Sequence, residues 1–198
     1  MKPSLLLSSR NAKKSAEIRA LLSDYFEVRD LTQNADLPEV EETEDSFVGN
    51  ATLKAVEISK LVDGYVIADD SGLSVDALGG APGVWSARYS GEGATDASNN
   101  EKLLADLKAC AEPQPWKAFF TCCIVLAKDG EKIAEFDGKV FGAILPEGAG
   151  KGGFGYDPLF VPEGHDASFG VLPAEVKAKI SHRANALALF KSWCEENL

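Results

Sequence analysis

Apolar positions recur along this chain with two spacings, and together they trace an alternating strand and helix plan. Ser4 to Ser8 is a short apolar run that reads as a strand. The polar turn Ser9-Arg10-Asn11-Ala12-Lys13-Lys14 leads from it into a helix that carries Ile18, Leu21 and Leu22 at helical spacing and runs to about Leu22. Phe26 to Leu31 resembles a second strand. Ser46 is placed to cap a helix from Phe47 to about Leu61, on which Asn50 and Lys54, four apart, share a face. That helix leads to Tyr65-Val66-Ile67-Ala68, a buried strand that delivers Asp69 and Asp70 at its C-terminal end, the edge where open α/β sheets bind ligands.

Thr95 or Asp96 caps a further helix from about Ala97 to Ala109, ended by Glu112-Pro113-Gln114-Pro115. Lys117 to Ala127 and Glu131 to Gly142 are long strand candidates separated by Lys128-Asp129-Gly130, and Asp-Gly between such runs signals a hairpin. The expected sheet is therefore mixed rather than purely parallel. Leu159-Phe160-Val161 is strand-like, and Pro173 to Ile180 is a short helix with Lys177 and Lys179. Ser181 caps a last helix from about His182 to Glu196, with Leu187, Leu189, Phe190 and Trp193 available for the core. Residues 1–198 show no repeat and no separable linker, which suits a single α/β domain, with room for a small lobe.

The chemistry concentrates in Ala68 to Arg88, ADDSGLSVDALGGAPGVWSAR, with two adjacent carboxylates, four glycines and a proline. Asp69 and Asp70 point to opposite faces of their strand, so one suffices for a ligand. Asp70 as metal ligand or general base stands beside a plainer alternative, in which the pair caps a turn. The turn at residues 9–14 offers helix N–H groups and two lysines to an anion, a triphosphate grip by Ser9, Asn11 and Lys14; the same residues also suit an N-cap followed by solvated lysines. The loop with Asp36, Glu39, Glu41, Glu42, Glu44 and Asp45 is a solvated acidic face or the source of the one or two carboxylates that Mg2+ needs.

Pro146 to Asp157, PEGAGKGGFGYD, contains two formal G-x-G-x-x-G matches. Both fail as dinucleotide sites because a strand, not a helix, follows. It is no Walker loop either, since Gly152 follows Lys151. What remains is a pliable loop presenting Lys151, Phe154, Tyr156 and Asp157, suited to folding over a flat ligand or to packing Phe154 into the core. His182 and Arg183 stand at a helix start, where positive charge is disfavoured unless an anion or acceptor lies nearby.

Charge narrows the partners. Lysine and arginine total 20 against 31 acidic residues, a net charge of −11. This argues against sustained binding to a nucleic-acid polymer or an anionic membrane, yet leaves room for a nucleotide held by a few lysines and a divalent cation. The N-terminal apolar run is too short for a signal-peptide core and no segment approaches membrane-spanning length, so a cytoplasmic location is expected. Cys110, Cys122, Cys123 and Cys194 form no CxxC pair and read as reduced packing cysteines.

Five stretches together resemble the inosine triphosphate pyrophosphatase family: Ser9-Arg10-Asn11-Ala12-Lys13-Lys14; Ser46-Phe47-Val48-Gly49-Asn50-Ala51 with Lys54; Ala68-Asp69-Asp70-Ser71-Gly72-Leu73 through Ser86-Ala87-Arg88-Tyr89-Ser90-Gly91; Gly153-Phe154-Gly155-Tyr156-Asp157-Pro158; and Ser181-His182-Arg183. The resemblance runs nearly end to end. It implies an elongated α/β fold with a mixed central sheet, two lobes with a nucleotide cleft between them, a homodimer and a need for Mg2+. It also implies hydrolysis of deaminated purine nucleoside triphosphates (ITP, dITP, XTP) to monophosphate and pyrophosphate. Under it Asp70 is the catalytic carboxylate and a metal ligand, with Glu42 as the second. Ser9, Arg10, Asn11, Ala12, Lys13, Lys14, Lys54, Ser71 and Lys177 contact phosphates or sugar, while Phe154, Gly155, Tyr156, Asp157, His182 and Arg183 form the base pocket. Gly49 departs from the pattern, standing where many members have a glutamate, so Glu41 or Glu42 must suffice. Trp85 is a second departure. The rival readings are a related pyrophosphatase for pyrimidine or modified nucleotides and a nucleotide-binding module without catalysis.

Overall fold

The computed structural model describes residues 2–197. Strands β1 (Ser4–Leu7) and β2 (Glu27–Asp30) pair in parallel, joined by helix α1 (Ala12–Leu22), and the other edge of β1 pairs in parallel with β3 (Tyr65–Val75), which helix α2 (Phe47–Ser59) precedes. Helix α3 (Asp96–Ala109) then leads to β4 (Trp116–Lys128) and β5 (Glu131–Ile144), followed by β6 (Phe160–Pro162), α4 (Ala174–Ile180) and α5 (His182–Asn197). The strand order is β2-β1-β3-β4-β5-β6. Asp129 and Gly130 take positive φ of 52° and 81°, the demand of a two-residue hairpin turn, so β4 and β5 run antiparallel as the Asp-Gly signal requires. β6 pairs antiparallel with β5, and the α/β fold therefore rests on a mixed sheet with helices against it.

One boundary differs from the sequence reading in a way that matters. β3 does not end at Ala68: it runs on to Val75, so Asp69 and Asp70 lie mid-strand rather than at a strand end or in a turn. Aspartate disfavours strands, but Leu73 and Val75 are wholly buried and keep the apolar face going beyond the acidic pair. Of the four glycines in this stretch, Gly72 lies within β3, whereas Gly79, Gly80 and Gly83 serve the short 3₁₀ turns at Asp76–Leu78 and Gly83–Arg88.

Contacts divide the chain into two compact units, residues 1–70, 122–138 and 183–198 in one and residues 71–121 and 139–182 in the other. In the first, Leu5, Leu7, Ile18, Phe26, Phe136 and Phe190 form the main core, with Phe26 and Phe190 stacked at 5.8 Å. Ala51, Ala55, Ala68, Cys123, Val125 and Ala127 make a second cluster, whose small side chains let α2 lie close against β3 and β4. In the second unit Leu73, Val75, Leu103, Leu107, Trp116, Phe120, Phe160 and Phe169 pack together. On α5 the buried stripe is Ala186, Leu187, Phe190 and Cys194, and Leu189, expected in the core, is 52% exposed because it falls on the opposite face. All four cysteines are free, and burial pushes the Cys122 thiol up to about 12 and Cys194 to about 11, which keeps them inert packing groups. No helix of the described residues is long and apolar enough to cross a membrane.

Gly142 lies opposite Pro162 at the β5–β6 pairing, and a Cβ there would stand 2.2 Å from the Val161 carbonyl oxygen and 2.7 Å from the Phe160 ring. Gly142→Ala is expected to fold but to lose about 1–3 kcal/mol through overpacking. A urea-denaturation midpoint equal to that of the parent would contradict this.

Candidate active site

Two neighbouring carboxylates on a buried strand need separate partners, and the fold provides them on separate sides. Asp69 is 2% exposed; its Oδ2 lies 3.0 Å from Arg183 Nη2 and 3.3 Å from Lys14 Nζ, and Arg183 Nη1 also pairs with Glu17. Burial pushes the Asp69 carboxyl up, but Lys14, Arg183 and Lys54 together hold it well below the usual carboxylate range. Asp69 is therefore a permanent anion, and its role is to bind α1 and α5 to β3.

Asp70 has different company. Lys54 Nζ lies 3.6 Å from Asp70 Oδ1, 2.5 Å from Glu42 Oε1 and donates to the Asp69 carbonyl at 2.8 Å. Asn50, wholly buried, donates from Nδ2 to Asp70 Oδ2 at 3.3 Å and accepts the Glu44 N–H at 2.9 Å, so one carboxamide ties the acidic loop to the strand. Gly49 permits that approach, since a Cβ there would meet Glu44 Cβ at 2.7 Å. Burial, followed by the opposing pull of Lys54 and the repulsion of Glu42, leaves the Asp70 carboxyl above its ordinary value. Burial likewise disfavours charge on Lys54, but Asp70, Asp69 and Glu42 outweigh it and raise its pKa. Among the described residues no three His, Cys, Asp or Glu side chains are placed to hold a metal ion together, yet Mg2+ commonly takes one or two carboxylates and completes its shell from water and phosphate. Glu42 and Asp70, hard oxygen donors converging on one ammonium, fit such an ion. Glu41, the alternative second carboxylate, is exposed.

The N-terminal turn is built largely as its own cap. Asn11 Oδ1 accepts the Lys13 and Lys14 N–H groups at 3.1 Å each, and Ser9 Oγ accepts the Asn11 N–H at 3.1 Å. Ala12 opens α1, Lys13 is exposed and Lys14 is half-buried toward Asp69. Arg10, expected among the substrate contacts, has its guanidinium donating to the Leu31 and Leu37 carbonyls at 2.9 and 2.6 Å, where it braces the loop after β2.

In the second unit, Phe154 to Asp157 forms a tight turn. Asp157 Oδ2 accepts the Phe154 N–H at 2.7 Å and lies 2.6 Å from Lys177 Nζ, which sits 4.5 Å from the centre of the Phe154 ring. Gly153 has φ +69° and a Cβ there would stand 2.0 Å from Asp157 Oδ2, so the turn requires glycine. Lys177, grouped with phosphate contacts in the sequence reading, thus belongs with the Phe154 turn. Tyr156 is buried, its hydroxyl donating to the Ser86 carbonyl at 2.8 Å, and His182 stacks on Phe120 at 4.8 Å. Ser71 is half-buried on β3. Arg183, expected beside His182 in a base pocket, instead has its guanidinium buried against Asp69 and Glu17 in the first unit. Asn99 and Asn100 escaped the sequence reading. Asparagine disfavours helix interiors, so two in succession within α3 were the available signal.

In the first unit two carboxylates meet one ammonium near a lysine-bearing helix start, groups chemically suited to phosphate and a divalent cation; in the second a glycine turn carries an aromatic ring beside a lysine. The chain belongs to the Ham1 family, whose model matches residues 5–193. It is 44% identical over 206 residues to the dITP/XTP pyrophosphatase of Desulfotalea psychrophila, covering 100% of this chain and 91% of that one. It is 45% identical over 188 residues to the dITP/XTP pyrophosphatase of Geobacter sulfurreducens, covering 94% of each. Among solved structures, a HAM1 protein from Coxiella burnetii superposes with a TM-score of 0.88 at 37% identity, over 98% of this chain and 99% of that one.

Removing the Asp69 carboxylate strands buried positive charge, and Asp69→Ala is expected to cost about 3–5 kcal/mol. Because the folded-state pKa of Asp69 is depressed, its contribution is present above the unfolded value of about 4 and is lost as pH falls below it. Urea midpoints measured from neutral pH into acid should therefore begin to draw together below about pH 4, the gap narrowing progressively toward the lower folded-state value; a constant gap would be inconsistent with this origin.

Proposed function

We propose that this chain is a Mg2+-dependent nucleoside triphosphate pyrophosphatase that hydrolyses the deaminated purine nucleotides ITP, dITP and XTP to the monophosphate and pyrophosphate, clearing them from the nucleotide pool. The observation that carries the reading is the convergence of Glu42, Lys54, Asn50 and Asp70, in a chain 44–45% identical to two proteins named dITP/XTP pyrophosphatase.

In this reading water attacks the α-phosphorus, the bond from that phosphorus to the bridging oxygen breaks, and pyrophosphate leaves. Phosphoryl transfer is mainly positioning and charge neutralisation. Asp70, its pKa raised by burial, accepts the water's proton or aligns its lone pair, and Asn50 fixes the orientation of that carboxylate. Lys54 and Lys14 are the cations for the phosphate chain, with Ser9, Asn11, Ala12, Lys13 and Ser71 as its further contacts. Glu42 and Asp70 would hold Mg2+, which when bound supplies charge neutralisation and Lewis acidity toward phosphate oxygens. The base falls to Phe154, Gly155 and Asp157, with Lys177 and His182 as donors toward the 6-oxo group that adenine lacks. A buried donor left unpaired is a strong basis for rejecting adenine. Arg183 enters as the residue that fixes the start of α5, and Tyr156 as an anchor of the loop.

A cytoplasmic setting agrees with the four free thiols. A homodimer is part of the same reading, supported by the exposed apolar side chains of Trp85 and Phe141; light scattering on the purified chain should give twice the 21.1 kDa mass, and a monomer at all concentrations would count against it.

Asp70→Asn should fold as the parent does, with turnover of ITP reduced by about 10²–10⁴. Pyrophosphate release is the measurement, and near-parent activity removes Asp70 from the role. Assays with ATP and dTTP in parallel, and with Mg2+ chelated, separate the rivals. Preference for dTTP favours the pyrimidine-type enzyme; ITP binding without release favours a binding module.

A further inference from the structure

We infer that Asn99 and Asn100 of α3 are positioning residues for the Phe154–Asp157 turn, and that Asn100 sets how sharply the protein separates 6-oxo purine nucleotides from adenine nucleotides. The inference rests on the proposed reading of that turn as the surface that meets the base.

The start of α3 is fixed first. Thr95 and Ser98 form a reciprocal capping box, and Ser98 Oγ lies 2.7 Å from Ser90 Oγ. The next residue, Asn99, is 4% exposed and fully engaged: its Oδ1 accepts the Ser90 N–H at 2.8 Å, and its Nδ2 donates to the Ala87 carbonyl at 3.1 Å and the Ser86 carbonyl at 3.3 Å. That Ser86 carbonyl also accepts the Tyr156 hydroxyl, while Ser86 Oγ accepts the Leu73 N–H at 2.9 Å and donates to the Gly83 carbonyl at 2.6 Å. A continuous set of hydrogen bonds therefore runs from β3, three residues beyond Asp70, through Ser86 and Asn99 to Tyr156.

Asn100 reaches the same turn directly. Its Nδ2 donates to the Gly155 carbonyl at 3.0 Å, and Gly155 has φ +60°. The opposite arrangement of the carboxamide would set two oxygens against each other, so this orientation is fixed. The Asn100 Oδ1 is buried with no hydrogen-bond partner among the described residues. A buried acceptor left in that state costs about as much as one good hydrogen bond returns, so stability does not explain why asparagine stands here. Geometry does: residues 152, 153 and 155 are glycines, without side chains to hold the backbone. Asp157 grips the turn from within and Tyr156 ties it to Ser86, while Asn100 fixes the peptide between Gly155 and Tyr156. Small displacements of a positioned group cost up to about 10²-fold in rate or selectivity.

The test compares the full-length parent with Asn100→Ala and the isosteric Asn100→Asp, which exchanges the Nδ2 donor for an oxygen facing Gly155. Steady-state pyrophosphate release is measured with ITP and with ATP, alongside thermal melting. Both variants are expected to raise KM for ITP and to lower the ITP-to-ATP ratio of kcat/KM about tenfold, the loss of roughly one hydrogen bond's fixing. The kcat for ITP should stay within about twofold and melting within a few degrees, since the Asp70 group is untouched. If either variant does not fold, the other decides. An unchanged ratio, with or without a fall in melting temperature, assigns Asn100 a structural role and overturns the inference. A parent without preference for ITP overturns the proposed function and this inference together; a selective parent with equally selective variants overturns the inference alone.

Discussion

Burying two adjacent carboxylates in the middle of a strand carries a desolvation cost that apolar packing cannot offset, and the first unit is arranged around meeting it. Strand alternation sends the two groups apart, and each draws its own set of polar and charged partners from segments that are distant in sequence. Lys14 and Glu17 come from α1, Arg183 from the first turn of α5, Lys54 and Asn50 from α2, and Glu42 from the loop before it. Placing charges on β3 thus dictates where three helices start or lie. The same pairing separates duties: Asp69 is held ionised, whereas burial leaves the Asp70 carboxyl above its ordinary value, the condition suited to proton traffic.

Much of this plan is readable in the sequence because it rests on local rules. Helix starts at Ser46 and Thr95 and the Asp129-Gly130 hairpin follow from capping and turn chemistry, and they appear where those rules put them. The sharing of a face by Asn50 and Lys54 also follows from helical spacing, and both side chains meet Asp70. The length of β3 was not legible, since aspartates and glycines signal a turn locally and only long-range ion pairs and the burial of Leu73 and Val75 override that signal. Arg183 was assigned by motif membership and Lys177 by the family resemblance, but side-chain reach decides where their charges go, and that depends on partners more than a hundred and about twenty residues away, respectively. Arg10 is a similar case, drawn to two backbone carbonyls that no motif announces.

The second unit solves a different problem, holding a glycine-rich turn still without filling the space beside it. It uses three different hydrogen bonds: the Tyr156 hydroxyl of the turn donates to the Ser86 carbonyl, the Asn100 carboxamide donates to the Gly155 carbonyl, and the Phe154 N–H donates to the Asp157 carboxylate. Glycines give the backbone its left-handed corners and the surrounding polar groups remove the freedom that glycine introduces. The ring of Phe154 is left half-buried, with a lysine ammonium near it.

The ammonium of Lys54, set between Glu42 and Asp70, has a meaning for the protein's life outside the reaction. It is a counter-ion carried on the chain itself, so the repulsion between the two carboxylates is relieved as soon as α2 docks on β3. Folding then does not wait on a cation from solution. The two carboxylates can thus stand close together in the folded chain before any ligand arrives.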